Sequence, residues 1–164
     1  MADSSSEFGE IYARHAADVY RFALRLCGER SDAEDITSET FARALASSEP
    51  IRAATAKGYL MTIARHYYLE TRRRTSRAVS LSDTIPDHGP MPDTLAEHAG
   101  ELSAAESALA KLSESDRAAI IMRAVHEMPY DEIARVLGIS VSAAKVRVHR
   151  ARLALARSRP APSI

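Results

Sequence analysis

The stretch 128–140 reads MPYDEIARVLGIS, and it decides how the second half of this chain folds. Proline suits the first turn of a helix, where its missing amide proton has no partner, so Pro129 predicts a helix start. Gly138 predicts that this short helix ends in a left-handed turn, and the Ser140 hydroxyl predicts a cap for the next helix. A short helix, a glycine turn and a capped second helix are typical of a helix-turn-helix.

The helix predicted after this turn, over about residues 141–156, has one apolar stripe and one basic face. Its inward positions are predicted to be Ala144, Val148, Ala151 and Leu155. The other positions are small near the start and basic further on, and residues 133–164 contain no acidic residue. Small side chains permit close approach to a DNA groove, and the cations can meet phosphates or guanine edges. DNA binding is the favoured interpretation, with a generic basic surface helix as the alternative.

Apolar spacing predicts two helices at the start of the chain. The first covers about residues 6–27 and ends at Gly28, and a capping box at residues 31–34 opens the second, which runs to about Ala46. The inward positions of the second helix are predicted to be Ile36, Phe41, Ala44 and Leu45. Its opposite face carries Asp35, Ser38 and Glu39. Taken alone, that face is a solvated acidic surface.

A third helix, predicted over about residues 55–74, mixes aromatic rings with basic groups. These side chains include Lys57, Tyr59, Arg65, His66, Tyr67, Tyr68 and Arg72. A surface that binds single-stranded nucleic acid needs aromatic rings on which the bases stack and cations along the path of the phosphates. The alternative is that the tyrosines pack the core and the arginines form a solubilising helix end.

Charge is segregated along the chain although its sum is zero. The 164 residues contain 22 basic and 22 acidic residues, but residues 71–80 carry four arginines and no acid, and residues 81–110 carry six acids and no cation. Residues 83–93 read DTIPDHGPMPD, which is unsuited to a helix. We therefore expect a flexible acidic linker at 77–100 between two small helical domains, 1–76 and 101–164.

Composition restricts the class of protein further. Few glycines, abundant alanine and no tryptophan favour an all-α fold. No apolar run is long enough to insert in a membrane, and one cysteine with a polar, acidic start fits a cytoplasmic protein. The six histidines are scattered, without metal-ligand spacing, and the chain has no glycine-rich phosphate loop. We expect no catalysis, no cofactor and no metal.

Together these motifs resemble an extracytoplasmic-function (ECF) sigma factor of the sigma-70 family. Residues 32–36 (DAEDI) with 39–44 (ETFARA) resemble the second conserved region of that family. Residues 130–141 (YDEIARVLGISV) with 145–152 (KVRVHRAR) resemble its fourth region. The resemblance covers about residues 7–75 and 102–156. It implies a transcription initiation factor that binds core RNA polymerase and recognises the −10 and −35 promoter elements.

The resemblance also implies roles for individual residues. Core polymerase would be contacted by Asp35, Ser38 and Glu39. The −10 element would be opened and bound by Lys57, Tyr59, Arg65, His66, Tyr67 and Arg72. The −35 element would be bound by Ser142, Ala143, Lys145, Val146, Arg147 and Arg150. Residues 47–56 contain no aromatic residue, so a base-capturing loop there would use backbone and aliphatic contacts.

The implied partners are promoter DNA, the β′ clamp and β flap of core polymerase, and an anti-sigma factor that holds the chain inactive. A second interpretation explains the C-terminal half equally well, namely a helix-turn-helix transcriptional regulator that is not a polymerase subunit. It leaves the acidic helix and the arginine-flanked tyrosines unexplained.

Overall fold

In the computed structural model, residues 4–81 and 100–159 are described, and they form seven α-helices and no β-strand. The predicted all-α fold is confirmed. The helices are α1 (Ser4–Cys27), α2 (Arg30–Ala46), α3 (Ala56–Leu81), α4 (Gly100–Lys111), α5 (Glu114–Ile120), α6 (Tyr130–Leu137) and α7 (Val141–Arg157). Within the described ranges, no helix is both long and apolar enough to cross a membrane.

Helices α1, α2 and α3 pack on one another and form the N-terminal module. Gly28 ends α1 with a φ of +77°, as predicted. The predicted capping box is wrong, because the cap residue of α2 is Glu29 and the Ser31 hydroxyl donates to its Oε1 atom at 2.8 Å. Leu45 is predicted to lie inside, but it is 64 % exposed, because it lies about 100° further round the helix than the buried Ala44.

Helix α3 is longer than its sequence pattern predicts. It begins after a short 3₁₀ turn at Ala53–Thr55 and continues to Leu81, seven residues past the predicted end at Arg74. Residues 77–81 of the expected linker are therefore helical, and its residues 82–99 lie outside the described structure. The flexibility of that linker remains a sequence-based prediction.

Helices α4 to α7 form the C-terminal module. The hydroxyl of Ser113 accepts the Asp116 amide and caps α5, and a π-helical turn at Ile121–Val125 follows it. The helix-turn-helix has the predicted form. Gly138 ends α6 with a φ of +66°, and the Ser140 hydroxyl accepts the Ala143 amide to cap α7.

The two modules share one hydrophobic core. Phe22 of α1 and Leu60 of α3 belong to the same buried cluster as Met122 and Ile133 of the C-terminal module. Each module alone approaches the lower size limit for an independent core, so joining them increases the apolar surface that both bury. This joint core fixes where the candidate functional side chains lie relative to one another.

Arg117 of α5 is a buried polar contact across the module boundary. Its guanidinium donates to the Leu26 carbonyl oxygen at 2.5 Å and to the Tyr68 hydroxyl at 3.3 Å. Leu26 lies in the last turn of α1, where carbonyl oxygens lack helical partners and a cation complements the helix dipole. The C-terminal module thereby completes a helix end of the N-terminal module.

Candidate nucleic-acid interface

The outer face of α7 carries the cations that the sequence assigns to duplex DNA. Ala144, Val148 and Ala151 are fully buried, which turns the rest of the helix outward. Val146 is 56 % exposed, and the six predicted contact residues are all at least partly accessible. They are Ser142, Ala143, Lys145, Val146, Arg147 and Arg150. The helix therefore offers a small-residue start followed by a basic face, as its pattern predicts.

A buried carboxylate holds two of these cations in place. The Asp116 Oδ1 atom accepts hydrogen bonds from Arg147 at 3.2 Å and from Arg150 at 3.1 Å. Asp116 is only 8 % exposed, whereas the Arg150 side chain is 59 % exposed. One anion in the core of the module thus anchors two guanidinium groups whose outer edges face solvent.

Tyr130, the first residue of α6, supports a third cation of α7. The Lys145 ammonium lies 5.7 Å from the centre of the Tyr130 ring, and the Arg123 guanidinium lies 4.4 Å from it. Cations over a ring face are attracted by its electron density. This arrangement is not predictable from local sequence patterns, because the fold alone brings the three residues together.

The aromatic and basic face of α3 is only partly open. Tyr59 is 37 % exposed and His66 is exposed, whereas Tyr68 is buried. Tyr68 belongs to the buried core, as the alternative interpretation predicts, and Arg72 lies over its ring at 5.6 Å. Tyr59 and His66 remain available to a ligand.

Two of the predicted −10 contacts are engaged by the C-terminal module. The guanidinium of Arg65 donates to both carboxylate oxygens of Glu114, each at 2.8 Å, and these side chains are only 12 % and 10 % exposed. The Lys57 ammonium donates to the His126 carbonyl oxygen at 3.3 Å. It also lies 3.8 Å from a carboxylate oxygen of Asp18 in α1.

Arg43 links the acidic face of α2 to the aromatic face of α3. It donates to Glu39 at 3.1 Å and to both carboxylate oxygens of Glu70 at 3.2 and 2.9 Å, and it lies 5.1 Å from the centre of the Tyr67 ring. These hydrogen bonds raise the pKa of Arg43 and lower the pKa of Glu70. The spacing of Glu39 and Arg43 by four positions signals their pair in the sequence, but nothing local signals Glu70.

The acidic face of α2 is otherwise accessible. Asp35 and Ser38 are exposed and Glu39 is half-buried beside Arg43. The three predicted polymerase contacts therefore lie on one side of α2, opposite the buried Ile36 and Thr40. A partner that presents cations can reach this side.

A buried histidine lies where the modules meet. His126 is packed edge-on against the Phe22 ring at 6.2 Å, and its Nε2 atom is buried with no hydrogen-bond partner. Burial, with smaller contributions from Lys57, Arg25 and Arg21, lowers the pKa of His126 to about 4, and Asp18 partly opposes this shift. The imidazole is neutral at neutral pH, as an apolar boundary requires. No group of His, Cys, Asp and Glu side chains in the described ranges is arranged to hold a metal ion.

Both halves of the chain match known sequence families. Residues 11–78 match "Sigma-70 region 2" and residues 102–155 match "Sigma-70, region 4". The ECF RNA polymerase sigma factor SigL of Mycobacterium tuberculosis is 36 % identical over 151 residues, which are 88 % of this chain and 84 % of SigL. SigE of Mycolicibacterium smegmatis is 34 % identical over 87 % of this chain, but the match spans only 58 % of SigE.

A solved structure has the same arrangement of helices. The sigma factor RpoE of Bartonella quintana, in its complex with the anti-sigma factor NepR, superimposes with a TM-score of 0.79 at 26 % identity. The match covers 93 % of this chain and 96 % of RpoE, so it includes both modules. The chain belongs to the ECF sigma factors of the sigma-70 family, which are promoter-directing transcription initiation factors. The match to region 2 disfavours a plain helix-turn-helix regulator, which has no such domain.

Proposed function

We propose that this chain directs core RNA polymerase to promoters by binding the −10 element through α3 and the −35 element through α7. The observation that carries the proposal is the presence of two separate basic surfaces, one on each module of a chain whose halves match regions 2 and 4. Each surface alone is an ordinary nucleic-acid site. Polymerase would hold both in register, because tethered sites reinforce each other only when both reach their targets.

The N-terminal module opens and holds the −10 strand in this proposal. Tyr59, His66 and Tyr67 offer flat rings to unstacked bases, and Lys57, Arg65 and Arg72 offer charge to the phosphates. The exposure of Tyr59 and His66 supports their assignment. Arg43 covers the ring of Tyr67. A base can stack on this face of the ring only if the guanidinium moves away, or if the base enters between the ring and the guanidinium.

The C-terminal module reads the −35 duplex. Ser142 and Ala143 at the start of α7 let the helix approach the groove closely, and Val146 offers an apolar contact to a thymine methyl group. Arg147 and Arg150 carry the proposed guanine and phosphate contacts, with Asp116 fixing their orientation. Lys145 is oriented by the Tyr130 ring in the same way.

Two protein partners are proposed. Asp35, Ser38 and Glu39 on α2 would dock on the clamp of core polymerase, and the C-terminal module would meet its β flap. An anti-sigma factor is the second partner, supported by the likeness to RpoE in its complex with NepR. None of these contacts requires a catalytic step or a cofactor from this chain.

Run-off transcription with core polymerase on a promoter library tests the proposal. Without this chain the library should give no specific start site, and with it a defined subset of promoters should be transcribed. Glu39→Ala should weaken holoenzyme assembly on every template, whereas Arg147→Ala should mainly impair promoters with a matched −35 element and cost about 1–3 kcal/mol there. Wild-type behaviour of both variants would contradict the residue assignments.

Binding of the purified chain to DNA gives an independent check. A chain of zero net charge with a predicted acidic linker should bind promoter DNA poorly when polymerase is absent. Gel-shift titration with and without core polymerase measures the difference. Tight, promoter-specific binding by the isolated chain would favour the regulator over the polymerase subunit.

A further inference from the structure

The ion pair between Arg65 and Glu114 has the geometry of a phosphate contact. Both nitrogens of the guanidinium edge point at one carboxylate, each at 2.8 Å, and the pair is almost fully withdrawn from water. A planar guanidinium binds a carboxylate or a phosphate through the same two-pronged arrangement. Arg65 therefore cannot hold Glu114 and a DNA phosphate by that edge simultaneously.

Glu114 reaches Arg65 from the opposite module. It is the first residue of α5, and 49 positions separate it from Arg65 in α3. Lys57 in the same helix is also engaged across the boundary, through the His126 carbonyl oxygen. Two cations of the proposed −10 surface are thus occupied while the modules are packed together.

We propose that Glu114 is an autoinhibitory latch, which holds Arg65 away from −10 DNA until the modules separate. This inference rests on the proposed function, since it assumes that Arg65 contacts DNA. It adds an intramolecular competitor to that function. The free chain keeps its −10 surface partly closed by its own carboxylate, and separation of the modules releases Arg65 from Glu114 and Lys57 from the His126 carbonyl oxygen.

The latch gives a measurable link between closure and affinity. A ligand that needs an open state binds with an apparent Kd equal to the intrinsic Kd divided by the open fraction. Replacing Glu114 by Gln removes the charge and leaves Arg65 without its anion, so both the closed state and the competition are weakened. Affinity for DNA should rise, because the freed guanidinium of Arg65 can then bind a phosphate.

The experiment measures binding of a fluorescein-labelled oligothymidine, 15 nucleotides long, to the full chain by fluorescence anisotropy. Glu114→Gln should lower the Kd about tenfold relative to wild type. It should also steepen the dependence of log K on log salt by about 0.7, since one more phosphate contact forms on a single strand. Glu106→Gln is the matched control, because it removes the same charge from an exposed position in α4 and should change neither quantity.

An exchange of the two charges separates the latch from a general charge effect. The double variant Arg65→Glu with Glu114→Arg restores an ion pair across the boundary but places a carboxylate on the DNA surface. It should bind the oligonucleotide no better than wild type, and circular dichroism should show an unchanged helix content. An unchanged Kd for Glu114→Gln, or an equal gain in Glu106→Gln, would overturn the latch.

Run-off transcription keeps failure of the latch distinct from failure of the proposed function. If wild type supports specific initiation and Glu114→Gln leaves DNA affinity unchanged, only the latch is wrong. If wild type supports no initiation with core polymerase, the proposed function is wrong. A raised affinity of Glu114→Gln in that second case would still show that Glu114 covers a nucleic-acid site.

Discussion

Single side chains determine how much of each proposed DNA surface is available. On α7, Asp116 anchors Arg147 and Arg150 from below and leaves their outer edges accessible. On α3, Glu114 covers the two-pronged edge of Arg65. Two carboxylates that are two positions apart in α5 therefore act differently. One positions cations within its own module, and the other engages a cation of the opposite module.

A histidine at the module boundary makes stability depend on pH. The pKa of His126 is lowered to about 4 in the folded chain, mainly by burial, from a usual value of 6.5. The unfolded chain therefore binds this proton more tightly, so stability is lost as the pH falls through about 6.5 and declines further until about pH 4. Between pH 7.5 and 5.5 the free energy of unfolding should fall by about 1.4 kcal/mol from this group.

Urea unfolding of wild type and His126→Gln at both pH values measures this contribution. The variant should lose less stability on acidification than wild type, because it has no proton to take up at this position. His15, whose pKa burial also lowers, contributes a loss of the same sign in both proteins and cancels in the comparison. The groups that face His126 are Asp18, Arg21 and Arg25 from α1 and Lys57 from α3. An identical acid-induced loss in both proteins would contradict the assignment.

Residue types were predictable from the sequence, but their partners were not. The basic face of α7 follows from the spacing of its apolar positions, and it is outward in the structure. The sequence around Arg65 does not predict its ion pair with Glu114, because the two residues lie far apart in the chain and neither local pattern contains the other. The sequence likewise does not determine whether Tyr68 stacks on bases or packs the core, and in the structure it is buried in the core.

Helix ends were predictable where the backbone itself demands a residue type. Gly138 and Gly28 both adopt positive φ, and Ser140 accepts an amide hydrogen bond at a helix start. The capping box of α2 failed because Glu29, rather than Ser31, occupies the cap position. The π-helical turn at Ile121–Val125 is not predicted from the sequence, and its buried residues Ile121 and Met122 belong to the shared core.

The left-handed turn between α6 and α7 should be sensitive to backbone strain alone. Gly138 has a φ of +66°, and a Cβ added there would meet no atom within 4 Å. Gly138→Ala should therefore destabilise the chain by about 1–2 kcal/mol through the left-handed conformation, without any clash. Urea unfolding measures the change.

Asparagine is the matched control, since it enters the left-handed region more readily than alanine. Gly138→Asn should lose clearly less stability than Gly138→Ala. Equal losses in the two variants would mean that packing, rather than backbone conformation, explains the glycine. An unchanged stability in the alanine variant would mean that the turn relaxes to another conformation.

At the scale of the molecule, the sequence predicted two modules, and the structure packs them into one core. Apolar periodicity identifies which face of a helix is buried, but it does not identify what buries it. Phe22 and Ile133 satisfy the patterns of their own helices equally well whether the modules touch or not. The joint core, the Arg117 contact and the latch all depend on that missing information.

A shared core should make the two modules unfold together. Met122 is fully buried in the cluster that joins α1 and α3 to the C-terminal module. Met122→Ala should lower the free energy of unfolding by about 2–5 kcal/mol, because it removes apolar contacts and leaves a cavity. Hydrogen exchange followed by mass spectrometry should then show faster exchange in α2 as well as in α6 and α7, although Met122 lies in the C-terminal module.

Leu153→Ala serves as the control, since Leu153 is 45 % exposed on α7 and its loss should leave exchange in α2 unchanged. If Met122→Ala accelerated exchange only in the C-terminal module, the modules would be separate cooperative units and their contact would be weak. Exchange that rises in both modules by the same factor means instead that opening the boundary costs a large share of the folding free energy. In the proposed function, core polymerase would then have to supply that energy on binding, so closure would restrain the free chain and still permit function in the holoenzyme.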